Sequence, residues 1–367
     1  MENQSGFSYN ISNAEPILYN QSDNATELPL SEQDDPGCIL YEFIVYTVLV
    51  GLLCILGVIG NLLAFTVYQK DILKTSTTFL FQGLSITDSI LLVTAFPVYC
   101  LLPLARYYDA SYYLHVVHPY ILVYVLPWAQ IAQTAAIWVT VLVGVNRYIA
   151  VCLPYQASRL CSVAKARQYL AFVLLFSFVY NIPRFAVTEI GCHEMKNNQT
   201  LCVPDYTKLG NNKLFQIIYY NICYTLFMLA IPLLILIVLN FRLIKTLKEL
   251  KRRRAEMQTR QQQQDNNVTF VLIIVILVFV ICQVPALATQ IFWTVLPESA
   301  RNCGGFQFFW SRISNTLVIV NSAVNLVIYV SFNKRFRQVM LQQVCVCTKN
   351  RGKSKANGTT QTLLTQV

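Results

Sequence analysis

Seven apolar runs, each long enough to cross a bilayer, dominate this sequence: Phe43–Val67, Phe79–Leu104, Tyr120–Val151, Tyr169–Val187, Leu214–Leu239, Val268–Val295 and Phe308–Phe332. A helix rising about 1.5 Å per residue needs about twenty apolar residues to traverse the hydrocarbon layer. Strands of a membrane barrel would be shorter and would alternate polar with apolar, whereas these runs are apolar all round. Only 13% of the 367 residues are charged, about half of what a soluble domain carries. The reading is an all-α membrane protein. A seven-transmembrane helix bundle spans 38–332, preceded by a tail at 1–37 and followed by a short amphipathic helix 8 at 333–344 and a cytoplasmic tail at 345–367.

Charge orients the bundle. With loops assigned alternately to the two sides, one set holds 21 of the 28 Lys and Arg and four acids, Asp71, Glu249, Glu256 and Asp265. The other set holds seven bases and 13 acids, and Asp88 lies within the membrane. Base excess marks the cytoplasmic side, so the N-terminus is placed outside, at the plasma membrane. The net charge of +10 then describes an inner face that meets anionic lipid through Lys251–Arg254, not a nucleic-acid surface.

Residues 1–37 contain no Lys or Arg and four Asn-X-Ser/Thr sites, Asn3, Asn10, Asn20 and Asn24. A basic start with an apolar core is missing from them, so no cleaved signal peptide is expected. The segment reads as a disordered, glycosylated outer tail, and Asn198 adds a fifth outer site. Cys38, Cys192, Cys202 and Cys303 also fall outside, where disulfides persist. Four cysteines allow three pairings. Cys192–Cys202 is favoured because Asn197-Asn198 between them suits a hairpin turn, and Cys38–Cys303 would then tie the tail to the last outer loop. Inside, "SFNKRFRQVMLQQ" puts Phe332, Phe336, Val339 and Met340 on one face. That face suits a helix on the inner leaflet ending in palmitoylated Cys345 and Cys347; the alternative is an unmodified loose tail. The ending Thr365-Gln366-Val367 has the form that adds to a PDZ domain as a strand.

Polar residues inside a membrane are functional candidates because they are costly there. Asp88 sits mid-run in "LSITDSILL", and Asn61, Asn321, Ser322 and Asn325 lie at similar depth. Asn321 and Asn325, four apart, share a face. Together these groups suit water or a small cation; the bland alternative is hydrogen bonding that only joins helices.

The ordered set "GN" (Asn61), "LSITD" (Asp88), "NRY" (Arg147, Tyr148), Pro232 in "LAIPLL", "FVICQVP" (Phe279, Pro285) and "NLVIY" (Asn325, Tyr329) resembles the rhodopsin-like G-protein-coupled receptors over about residues 40–345. Within that class, "AQTAAIWVTVLVGVNRYIAVCLP", "RLCSVAKARQ" and "YNIPRFAVTE" are similar to the invertebrate FMRFamide-receptor-like neuropeptide receptors. The resemblance implies a ligand bound from outside and a G protein engaged inside by movement of helices 5 and 6, with arrestin and receptor kinases as further partners. It implies that Arg147 faces the inner cavity, that Ile137, Pro232 and Phe279 relay packing changes, and that Tyr329 swings inward. It also implies a sodium ion held by Asp88, Asn321, Ser322 and Asn325 in the off state. Proline within a helix, at Pro97, Pro232 and Pro285, supplies the bending.

The chain departs from the family pattern in instructive ways. The acid usual before the arginine is Asn146, the tryptophan usual two before Pro285 is Gln283, the proline of the last motif is Leu326, and the tyrosine usual in the inner part of helix 5 is Asn240. The serine expected near sodium is Ala136. No cysteine occurs between Cys100 and Cys152, so the usual bridge from helix 3 is absent, which favours the within-loop pair. Arg147 therefore needs another partner. Counted inward from Pro285, Asp265 lies about 30 Å away on one helix, the level at which Arg147 ends. Asp265 either holds Arg147 across helices in the off state or caps helix 6.

For a ligand, the position where amine receptors carry an acid is Ala129, and no lysine lies between Arg312 and Lys334 for a retinal Schiff base. Gln130, Gln133, Tyr219, Asn221, Gln283, Gln290, Trp293 and Asn315 offer the mix of amides and aromatics that suits an inserted peptide end. An Arg-Phe-amide ligand, as the resemblance implies, wants a carboxylate, and Glu189, Glu194, Asp205 and Glu298 stand near the outer mouth. The alternatives are a receptor for a non-peptide ligand and a secondary transporter. A transporter more often shows inverted repeats and broken helices, which this sequence lacks. An enzyme reading finds no metal-type His/Cys spacing and no Gly-rich phosphate loop.

Overall fold

The computed structural model describes residues 6–10, 15–19, 35–70, 74–110, 112–194, 200–254, 262–296, 298–333 and 336–342. Five helices in it are long and apolar enough to cross a membrane: α1 Pro36–Lys70, α2 Ser76–Tyr107, α3 His118–Cys152, α4 Val163–Ala186 and α5 Lys213–Glu249. α6 runs over Gln262–Val295. α7 is a bent pair, Phe306–Ala323 and Asn325–Phe332, meeting at 48°. The bundle turns an apolar belt outward: Leu56, Ile59, Phe172, Leu234 and Phe241 are each 59–70% exposed. Water would penalise such a belt and lipid would not; this is a multi-pass membrane protein with the expected seven-helix architecture.

Side-chain caps define several starts. Thr75 and Thr78 cap α2 reciprocally, with bonds of 3.2 and 2.9 Å. Asn212 Oδ1 accepts from Leu214 and Phe215 N–H at the start of α5, satisfying donors that a helix start leaves open. Toward their outer ends the helices widen into π turns, among them Phe96–Cys100 around Pro97 and Thr225–Ala230 just before Pro232. A proline ring displaces the carbonyl four residues back, and a wider turn absorbs the displacement. α7, by contrast, breaks at Val324 without a proline, Leu326 standing where the family places one.

The core is stacked along the bundle. Toward the inner end, Tyr68, Phe81, Tyr329 and Phe336 pack ring on ring. A second cluster joins α3, α5 and α6 through Ile137, Met228, Leu229, Leu236, Ile276 and Phe279. A third, of Tyr46, Cys54, Leu92, Ala95, Cys100 and Ile319, joins α1, α2 and α7.

Two boundaries differ from expectation. Within the tail read as disordered, β1 Gly6–Asn10 and β2 Glu15–Tyr19 pair as an antiparallel hairpin. Phe7, Tyr9, Ile17 and Tyr19 supply the β-forming residues, against a reading that rests on the absence of Lys and Arg and on the sequons. The amphipathic helix, α8, is described over 336–342, and Asn333, where it was expected to begin, stands outside it. Asn333 caps it by accepting from Phe336 N–H at 3.0 Å, so Phe332 belongs to α7 and the packed face is Phe336, Val339 and Met340.

The second outer loop is the hairpin β3 Thr188–Glu194 and β4 Thr200–Tyr206. Cys192 is disulfide-bonded and stands opposite Cys202 in the register, as the within-loop pairing requires. Cys38 and Cys303 form the other expected bond. Asn10 closes β1; Asn3, Asn20, Asn24, Asn198, Cys345, Cys347 and Thr365–Val367 lie outside the described residues.

Candidate functional site

Among the described residues, two arginine centres stand at the outer end of the bundle. In the first, Glu42 of α1 is buried, and its carboxylate accepts from Arg312 Nε of α7 at 3.2 Å and from Arg106 Nη1 of α2 at 3.2 Å. Arg312 Nη2 closes a second bond to Glu42. Arg312 Nη1 donates to the Phe308 carbonyl and to Ser311 Oγ, and the guanidinium lies 3.5 Å from the Phe308 ring centroid. Nothing in the sequence reading singled out Glu42, Arg106 or Arg312. Glu42 and Arg106 border apolar runs and Arg312 stands near the outer end of one, where a charge ordinarily reads as interfacial.

The second centre lies among α3, α4 and α5. Asn181 is buried; its Nδ2 donates to Thr134 Oγ1 at 2.9 Å and to the Ser177 carbonyl at 2.8 Å. Thr134 Oγ1 in turn donates to the Gln130 carbonyl. With its amide fixed in this way, Asn181 presents Oδ1 to Arg184 Nε at 3.1 Å. The Arg184 guanidinium sits 5.5 Å from the Tyr219 ring centroid and 5.1 Å from that of Tyr220, and Tyr219 also exchanges a hydrogen bond with it. The Tyr219 hydroxyl donates to the Tyr180 carbonyl at 2.8 Å.

The ligand residues expected from sequence divide accordingly. Gln130 and Tyr219 belong to the second centre, with Gln133 and Asn221 half-buried on the same helices. Gln130 Oε1 and Gln283 Oε1 are buried with no hydrogen-bond partner among the described residues. Asn315 instead bonds across to α1, its Nδ2 donating to Tyr46 Oη at 3.1 Å. The side chains of Gln290, Trp293, Glu194 and Glu298 lie outside the described residues. Glu189 and Asp205 come together directly opposite one another in the β3–β4 ladder. Carboxylates at facing positions concentrate negative charge on that face of the hairpin.

At the midplane, Asn325 Nδ2 donates to Asp88 Oδ2 at 2.6 Å, and Ser322 also hydrogen-bonds Asp88. Asn61 Nδ2 donates to the Ser322 carbonyl at 2.9 Å, while its Oδ1 is buried with no partner among the described residues. Asn321 is half-buried and joins none of these bonds. Carboxylate, hydroxyl and orphaned amide oxygen are the hard donors that small cations take; Ala136 offers none.

Toward the inner end, Ile137 and Phe279 meet in one packed cluster, with Pro232 buried in α5. Pro285 lies inside α6, and its carbonyl accepts from the Trp310 indole of α7 at 3.3 Å. Tyr329 is buried within the inner rings, its hydroxyl without a partner among the described residues. Arg147 and Tyr148 are half-buried at the inner end of α3. Asn146, in the place of an acid, donates Nδ2 to Thr77 Oγ1 of α2 at 2.9 Å. Burial raises the Cys161 thiol in the second inner loop, and the Arg147 charge, which acts the other way, is felt there. Asp265 is the fourth residue in the run of α6 and not its cap; its side chain, and so any pairing with Arg147, lies outside the described residues.

Seven apolar helices, a polar midplane around one carboxylate and an arginine at the inner end of the third define a heptahelical receptor. Residues 60–329 match the 7 transmembrane receptor (rhodopsin family), and the chain belongs to that family. It is 28% identical over 304 residues to an FMRFamide receptor of Drosophila melanogaster, covering 82% of this chain and 54% of the fly protein. It is 29% identical over 298 residues to an FMRFamide peptide receptor, frpr-18, of Caenorhabditis elegans, covering 78% of this chain and 66% of the worm protein. Against a neuromedin-U receptor 2 of Mus musculus it is 25% identical over 295 residues, 79% and 73% of the two chains. This chain thus spans about half the length of the fly relative and just under two thirds of the worm one.

Proposed function

We propose that this chain is a plasma-membrane receptor, N-terminus outside, for an extracellular peptide of the Arg-Phe-amide class, and that it passes binding to a heterotrimeric G protein. The observation that carries the ligand class is the facing pair Glu189 and Asp205 on the outer hairpin, in a chain similar to FMRFamide receptors. A peptide guanidinium is drawn to the negative charge the pair concentrates there and donates charge-assisted bonds to it. Screening amidated peptides on cells expressing the chain tests the reading; receptor-type agonist binding also weakens when guanine nucleotide releases the G protein, because the two sites are reciprocally coupled. A transporter shows no such dependence. Glu189→Gln combined with Asp205→Asn is expected to lower the potency of an Arg-containing agonist at least tenfold and to leave surface expression unchanged. Unchanged potency rejects the acid pair.

Inside, the inner mouth of the bundle engages the G protein, with arrestin and receptor kinases as later partners, a PDZ domain at Thr365–Val367, and acyl groups on Cys345 and Cys347. Asp88 and Ser322, with Asn321 and Asn325 beside them, hold a sodium ion in the off state, where its charge fixes α2 against α7. Asp265 pairs with Arg147 in that state. A pair worth about 1 kcal/mol corresponds to about fivefold in a two-state ratio. Asp265→Ala is therefore expected to raise ligand-free signalling about fivefold; a flat basal response in the nucleotide-exchange assay removes the lock.

A further inference from the structure

The second outer centre contains a cation for which the proposed ligand's own arginine has no use. Arg184 lies in the last, 3-10 turn of α4, Ile182–Ala186, and is half-buried. Its guanidinium bonds buried Asn181 and lies against the ring of buried Tyr219, so it faces the interior and not the lipid. Among the described residues no carboxylate pairs with it. A guanidinium carries five N–H donors. One is taken by Asn181 and one faces the Tyr219 hydroxyl, while the two tyrosine rings hold the charge by their faces. A cation removed from water without an anion is unfavourable unless an acceptor completes it.

Arg184 sits beside buried Asn181 and Tyr219, whereas Glu189 is exposed on the outer hairpin, opposite Asp205. An entering ligand thus meets a negative rim first and a positive, aromatic-walled floor after it. Phe215, Tyr219, Tyr220 and Tyr180 stack around that floor, and Gln130 Oε1 is buried without a partner among the described residues in the helix that anchors it.

Resting on the peptide reading above, we infer that Arg184 receives an oxygen acceptor at the aromatic end of the ligand, a terminal carboxamide or a carboxylate, while the ligand's basic side chain stays at the rim. The ligand enters ring-first. Its ring lies among the tyrosines, its acceptor oxygen takes the free guanidinium donors, and like charge keeps its own arginine away from the floor.

The test uses the purified full chain in detergent and does not depend on signalling. Thermal unfolding is followed with N-acetylphenylalaninamide, N-acetylphenylalanine or N-phenethylacetamide, which lacks the terminal oxygen group. A bound probe raises the melting temperature according to its dissociation constant. At least one of the first two is expected to raise it more than N-phenethylacetamide does, and Arg184→Gln is expected to weaken that probe at least tenfold. A shift confined to the amide identifies a carboxamide end; one confined to the acid identifies a carboxylate. If Arg184→Gln does not fold, Arg184→Lys, which keeps the charge and loses the fork, is read the same way and is expected to weaken the probe. A shift equal for all three probes, no shift at all, or a shift that survives the arginine substitution overturns the assignment. Failure of every amidated peptide to activate cells rejects the peptide reading and leaves this measurement standing.

Discussion

Glu42→Gln is expected to be the most damaging single change in the outer half of the bundle. Glu42 is 5% exposed and Arg312 is 2% exposed, and the carboxylate also takes Arg106. Removing it leaves two guanidinium groups facing one another, one of them fully enclosed. Breaking a buried pair from one side costs about 3–5 kcal/mol, a large share of the roughly 5–15 kcal/mol by which folded domains are stable. The expected result is a steep fall in surface expression and in melting temperature of the solubilised protein. Arg106→Ala is expected to cost far less, about 0–1 kcal/mol, because Arg106 is 22% exposed. The paired change Glu42→Leu with Arg312→Met removes both buried charges and is expected to recover most of the loss. A Glu42→Gln protein that melts with the parent ends the claim that this triad stabilises the junction of α1, α2 and α7.

Gly57→Val is expected to produce a comparable loss from a different cause. A Cβ at Gly57 would stand 2.6 Å from Leu92 Cδ1, 2.9 Å from Ala323 Cβ and 3.0 Å from Ala323 Cα. The leucine methyl can rotate away; the α7 backbone cannot, and Ala323 is the last residue before the break at Val324. Overfilling a packed interior costs about 1–3 kcal/mol for a small increment, so Gly57→Ala falls in that range and the branched valine exceeds it. Gly51→Ala is the control, since the nearest atom to its added Cβ is 3.8 Å away. Equal melting temperatures for Gly57→Val and Gly51→Ala refute the close crossing of α1 with α7.

The seven spans were legible because length and apolarity are local properties. The cross-chain pairings were not. Glu42 sits one residue before the first apolar run, and its partner Arg312 is 270 positions away, so each reads alone as an interfacial charge. Asn146 was visible as a missing acid, yet its partner Thr77, 69 positions earlier, carries no signal in a stretch of ordinary helix-starting residues. Arg184 sat within "YNIPRFAVTE", but one arginine beside a proline at a loop edge says nothing of the tyrosines that α5 brings over it. The facing of Glu189 and Asp205 follows from hairpin register, which the two cysteines at Cys192 and Cys202 mark from the sequence. The α7 break had no proline to mark it: Leu326 stands in that place, and the helix bends regardless.

The bond between Cys38 and Cys303 bridges 265 positions and so encloses six of the seven spans in one covalent ring. A protease that nicks any loop within that ring severs the polypeptide without releasing a fragment. Under non-reducing electrophoresis the nicked molecule keeps its full mass, and two bands emerge only once a thiol reductant is added.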